Sequence, residues 1–277
     1  FSSATGGANN IQRFCTALNP GFNTDLINNS TCIDDNVVTF SNTSVSFAPI
    51  ASFHWNFGDG NFSTDANPPP HVYTNPGVYK VKLAITGLDG CRSDTLEKTI
   101  AIGDYPVASF DVFDTCTGDV PRIIDRSTVS VGTVSQWNWT LNGNPVSTAQ
   151  HPQLDDLDAI NYRLQLEVTS QYGCAATSVV KQFVIRKTPV IAATKDGSCI
   201  KVPVQFSAEQ IDNATTIASW SWNFGGNRIF PGQNISYTYN QPGDFTAQVT
   251  ASATNGCVSD PIIVPLTIVK PVAWAGN

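Results

Sequence analysis

The segment His54-Trp55-Asn56-Phe57-Gly58-Asp59-Gly60 decides the fold, because the chain comes back to it twice. It returns as Gln136-Trp137-Asn138-Trp139 and as Ser221-Trp222-Asn223-Phe224-Gly225-Gly226-Asn227. Aligned on Trp55, Trp137 and Trp222, the two steps are nearly equal. Prolines keep a similar ruler at Pro20, Pro106, Pro189 and Pro271. A fixed period of about 80 residues marks a repeat architecture in which each unit is one supersecondary module. The expected units are residues 20–103, 104–187 and 188–270. A polar flank covers 1–19, and 271–277 reads as the start of a further repeat or a C-terminal flank.

Outward from the tryptophans the pattern is that of strands. In Val78–Thr86, residues 79, 81, 83 and 85 are apolar and most of the intervening positions are polar. Tyr162–Thr169 alternates in the same way, and Phe245–Ala251 does so more weakly. Period two places one face on a core and the other in water. Asn75-Pro76-Gly77 and Gln241-Pro242-Gly243 are turn signals before two of these strands, and Asp89-Gly90-Cys91, Tyr172-Gly173-Cys174 and Asn255-Gly256-Cys257 close all three. No stretch of ten or more positions carries helical periodicity. The expected class is all-β, with three tandem antiparallel sandwiches of about 80 residues. Residues two apart share a strand face, so Trp55 with Phe57, Trp137 with Trp139 and Trp222 with Phe224 are expected in the cores rather than on a sugar-stacking surface.

Six of the seven cysteines follow the same ruler. Cys32 with Cys91, Cys116 with Cys174 and Cys199 with Cys257 form three pairs, each separated by about 60 residues. This spacing predicts one disulfide inside each unit and an oxidising, extracytoplasmic location. Reduced core cysteines and a metal site are the weaker readings, and no Cys-x-x-Cys supports the latter. Cys15 falls off the ruler. It is expected to bond another subunit or a partner upstream, with a free thiol as the alternative.

Composition narrows the function classes. The net charge of −7 disfavours nucleic acid and anionic lipid as partners. The 41% hydrophobic content excludes intrinsic disorder, and no apolar run reaches the ~20 residues of a membrane span. Met is absent and the chain opens at Phe1, as expected of a processed product or an excised piece. Catalysis finds little support. His54, His71 and His151 do not recur across the units, and there is no His-Glu-x-x-His, Gly-x-Ser-x-Gly or phosphate loop. Ser178-Val179-Val180-Lys181 matches a Ser-x-x-Lys string but is expected on a strand, where the two side chains face opposite sides. Asp155, Asp156 and Asp158 read as a solvated loop. Asp59 reads as a turn residue capping backbone amides, since Asp34, Asp35, Asp59, Asp65 and Asp89 are too scattered for a six-oxygen calcium loop.

Trp55–Gly60, followed by His71-Val72-Tyr73 and Asn75–Val81, resembles the signature of the PKD (polycystic kidney disease) domain. The third unit keeps Trp222–Gly225 and Tyr239–Gly243 but has Gly226 where the signature has Asp. The second unit departs furthest, lacking a Pro-Gly before its Tyr162 strand. The resemblance implies immunoglobulin-like, seven-stranded sandwiches in tandem, as on cell surfaces and beside secreted hydrolases. It leaves calcium open, with Asp104 at the hinge before unit two, because some members bind it; no other cofactor is implied. The disulfide-bearing, Asn- and Thr-rich array looks like the surface proteins and adhesins exported by the type IX system of gliding bacteria. In that setting Asp94-Thr95-Leu96 resembles an O-glycosylation string. With short linkers at 102–105 and 186–188, the expectation is an elongated, non-catalytic extracellular array. Its partners would be copies of itself, neighbouring repeats, surface proteins or glycans. The competing readings are a glycan-binding accessory region of a secreted hydrolase and a subunit of a filament or surface layer.

Overall fold

The computed structural model describes residues 17–226 and 228–270. Apart from two short 3-10 turns at Ile27–Asn29 and Ile33–Asp35, the regular structure is strand. Each unit is a two-layered immunoglobulin-like sandwich. In unit one the larger sheet runs Ser30–Cys32, Leu96–Gly103, Gly77–Gly87, Ile50–Asn56, Phe62–Ser63. Unit two repeats this order with Thr115–Cys116, Lys181–Arg186, Asn161–Ser170, Val134–Leu141 and Asn144–Ser147. In unit three the order is Ile262–Ile268, Gly243–Ala253, Ile217–Asn223, Ile229–Pro231, and the facing sheet is Ile191–Asp196, Pro203–Gln210, Asn234–Thr238.

Alternation does what the pattern requires. Val81, Leu83 and Ile85 of the central strand Gly77–Gly87 are buried. On its outer face, Lys80 and Lys82 reach Glu97 of the neighbouring strand at 2.8 and 3.3 Å. Each core is built on one fully buried tryptophan: Trp55, Trp139 and Trp222. Each packs on a phenylalanine from the facing layer, with ring centroids 5.2 Å (Phe22), 5.1 Å (Phe110) and 5.3 Å (Phe206) apart. The indole Nε1 of each donates to a backbone carbonyl of the following loop: Asp65, Ala149 and Gln233.

These contacts correct the alignment of unit two. Trp139, not Trp137, is the counterpart of Trp55, because Trp139 pairs with Leu166 as Trp55 pairs with Leu83 and Trp222 with Val249. Trp137 occupies the place of Phe53 and Trp220 and is half-buried at the edge of the core. The flank also shrinks, since Leu18–Asn19 pairs with Val45–Ser46 of unit one. Cys15, most of the flank and residues 271–277 lie outside the described residues.

Candidate functional site at the unit junctions

The first cysteine of every unit occupies one structural position. It pairs in parallel with the end of the unit's last strand: Cys32 with Gly103, Cys116 with Arg186 and Cys199 with Val269. The second cysteine follows a tight hairpin at the far end of the penultimate strand. There Gly87, Ser170 and Ala253 donate their N–H groups to the carbonyls of Cys91, Cys174 and Cys257 at 2.8–2.9 Å.

The two positions lie at opposite poles. In unit one the strand Gly77–Gly87 joins them, and its 11 residues span roughly 30 Å at about 3.3 Å per residue. A disulfide needs Cα atoms about 5.5–6 Å apart. The pairings Cys32–Cys91, Cys116–Cys174 and Cys199–Cys257 expected from spacing are therefore not formed. Cys32 is bonded to Cys174, with Cα atoms 5.7 Å apart and a sequence separation of 142. Cys116 is bonded to Cys257, with Cα atoms 5.8 Å apart and a separation of 141. Cys91 is also disulfide-bonded, and Cys199 is a half-buried free thiol. The Cys32–Cys174 and Cys116–Cys257 bridges are staples, each joining the C-terminal pole of one unit to the N-terminal pole of the next.

Packing at the poles is shaped around these staples. A methyl group on Gly103 would lie 2.7 Å from Tyr172 Cβ and 2.9 Å from Cys174 Sγ, so glycine is what lets unit two approach. The Tyr105 hydroxyl donates to Asp34, which raises the phenol pKa, and Ser130 donates to Asp104. At the second junction Thr188 N donates to Thr117 Oγ1 at 3.0 Å, Thr188 Oγ1 donates to the Thr117 carbonyl at 2.9 Å, and Asn255 Nδ2 donates to the Lys187 carbonyl at 2.9 Å. A cleft of about 610 Å³ flanks the first junction, between Asn28, Asn29 and Thr99 on one side and Gln171–Gly173 on the other.

The remaining candidates make their contacts inside their own units. Asp59 Oδ1 accepts from Asn61 N at 3.0 Å, and its Oδ2 meets His71 Nε2 at 2.7 Å. Burial raises the Asp59 carboxyl pKa, but the hydrogen bonds from His71 and Asn61 outweigh it and hold it below 3.8. His71 stacks on Phe57 at 4.2 Å. Unit three replaces both members of the pair: Gly226 stands for Asp59, and Tyr237 stacks on Phe224 at 4.3 Å. Tyr73 and Tyr239 repeat the same buried phenol, and burial raises the pKa of both, Tyr239 to about 12. Tyr73 donates to the Phe57 carbonyl at 3.0 Å, whereas the Tyr239 hydroxyl has no partner among the described residues.

In unit two, Asp125 accepts from Trp137 Nε1 at 2.8 Å and Gln150 Nε2 at 3.1 Å. Burial again acts to raise its pKa, and hydrogen bonds from Ser127, Trp137 and Gln150 lower it on balance. His151 Nδ1 accepts from the Asp125 N–H, and His54 bonds Ser52 and Thr86. Ser178 does not sit on a strand. It lies in the connection after Ala175–Thr177, buried, accepting from Leu166 N and donating to the Val179 carbonyl, while Lys181 donates to the Phe110 carbonyl. Asp155, Asp156 and Asp158 lie in the connection before Asn161–Ser170, with Asp155, Asp156 and Asp158 all exposed. No group of three His, Cys, Asp or Glu that could hold a metal occurs among the described residues. No helix among them is long and apolar enough to cross a membrane.

The model of the PKD domain matches residues 23–102 and 186–267, together more than half of the chain. The chain belongs to the PKD-domain family. Its PKD units are similar to part of the pre-pro-metalloprotease PrtV of Vibrio cholerae serotype O1, 31% identical over 153 residues, which is 52% of this chain and 16% of that protein. A shorter match joins 44 residues to collagenase ColA of Bacillus cereus at 48% identity, covering 16% of this chain and 4% of the collagenase. The chain therefore spans a small fraction of these relatives. Among solved structures, the PKD1 domain of the Vibrio cholerae metalloprotease PrtV is 32% identical, covering 31% of this chain and 96% of that domain with a TM-score of 0.27.

Proposed function

We propose that this chain is a non-catalytic extracytoplasmic spacer that carries tension between whatever its two ends are attached to. The observation behind the reading is the interlacing of the staples. Along the backbone, Cys32 and Cys257 are about 225 residues apart, a contour of about 770 Å at about 3.4 Å per extended residue. With both bridges closed, the covalent path runs from Cys32 to Cys174, back to Cys116, and across to Cys257. That path crosses only about 60 residues, so the limit falls to about 200 Å even with every unit unfolded. Spacers that must not unravel gain from such a limit. Stable disulfides support an oxidising compartment, and the partners in this reading are neighbouring units of its own kind.

Force spectroscopy on the chain, held by its two ends, tests this. Without reductant, extension between the outer cysteines should stop at about 200 Å. With reductant, about 570 Å more contour should appear. Full backbone release without reductant would refute the reading.

The metalloprotease and collagenase relatives support a second reading, in which the same spacer holds a catalytic domain away from its anchor. Sequencing the complete gene separates the two.

A further inference from the structure

We infer that the pole carrying Cys199 is the docking face for a further PKD-like unit, and that Cys199 forms a third staple with that unit's hairpin cysteine. Cys199 is not an isolated thiol. It is the third instance of a position whose other two members, Cys32 and Cys116, are both bonded to the hairpin cysteine of the following unit. It is held in the same way, by a parallel bridge to the end of the last strand, with the Val269 N–H on the Ser198 carbonyl at 2.8 Å and the Ile200 N–H on the Val269 carbonyl at 3.1 Å.

What surrounds it differs. Gly103, the counterpart of Val269, is buried under Tyr172 of the next unit, while Val269 is 47% and Val202 52% exposed. The end of the last strand, which a neighbour covers at the first junction, is open here. The occupant is a unit other than the three described, because their hairpin cysteines, Cys91, Cys174 and Cys257, are already disulfide-bonded. A second copy of these units has no hairpin thiol to offer. Bond formation takes two protons and two electrons from the two thiols, and a protein disulfide of the oxidising compartment accepts them, becoming a dithiol. The inference goes beyond the spacer reading and stands on the staple geometry alone.

The test is disulfide mapping on the native protein, alkylated with iodoacetamide on isolation and digested without reductant. The expected result is a Cys199 peptide joined to a cysteine that closes a Gly-Cys hairpin in another PKD-like unit. A Cys199 found alkylated, joined to a second Cys199, capped by a small thiol, or joined to a cysteine outside such a hairpin would overturn the inference. The force measurement above depends on the Cys32–Cys174 and Cys116–Cys257 bridges and not on Cys199, so the two readings fail separately.

Discussion

At the residue scale, the repeats supply internal controls. Tyr73 and Tyr239 occupy one position, but only Tyr73 has an acceptor among the described residues. Tyr73→Phe should destabilise unit one by about 1 kcal/mol, and Tyr239→Phe should leave unit three unchanged or slightly stabilised, because it removes a buried hydroxyl with no partner. Hydrogen exchange read separately on Gly77–Gly87 and Gly243–Ala253 checks this. Asp59 and Asp125 both titrate below 3.8 in the folded state. A depressed folded pKa contributes stability that is present above the unfolded value and lost as pH falls through the folded one. Protection of units one and two should therefore fall as the pH drops below the ordinary aspartate range. Asp59→Asn should flatten that dependence in unit one while lowering its stability at neutral pH; an unaltered acid profile would remove Asp59 from the explanation.

At the element scale, the strand joining the two poles of a unit decides which cysteines can meet. Its length is legible from the alternation of Val78–Thr86 and the turns around it, and so is the position of Cys91 just past its end. The pole of Cys32 is not legible, because Cys32 sits on a strand of only 3 residues, Ser30–Cys32, too short to show a pattern. The alignment of unit two does carry a usable signal. Counted to Trp139 instead of Trp137, the step from first cysteine to core tryptophan is identical in all three units: Cys32 to Trp55, Cys116 to Trp139, Cys199 to Trp222. The Trp-x-Trp pair conceals this because both residues share a face and both are apolar. Gly103 gives the element-scale prediction. Gly103→Ala forces a methyl group against Tyr172 and Cys174, an overpacking that costs about 1–3 kcal/mol. Cys32–Cys174 should then be reduced faster by dithiothreitol than in the parent protein, with Cys116–Cys257 unaffected, as mass mapping of timed aliquots would show.

At the scale of the whole molecule, the staples turn three modules into a linked chain of modules. In the chain-entropy model each closes a loop of about 140 residues and removes about 5 kcal/mol of unfolded-state freedom. That freedom belongs to two units at once, so neighbouring units should unfold together. Replacing Cys116 and Cys257 by Ser should uncouple unit three. Calorimetry should resolve a separate, lower transition for it, and small-angle scattering should show a broader distribution of maximum dimensions. A single unchanged transition would mean that the staple contributes no coupling.

The repeat, the strand alternation, the aromatic cores and the PKD resemblance follow from the sequence alone, because each depends on neighbours a few positions apart or on a period that can be counted. The disulfide partners were decided only by the tertiary structure. The shorter spacing from first to second cysteine within a unit recurs as regularly as the separations of 142 and 141 across the junctions. Counting cannot choose between them, whereas a bond about 2 Å long, between positions a strand's length apart within each unit and in contact across each junction, can.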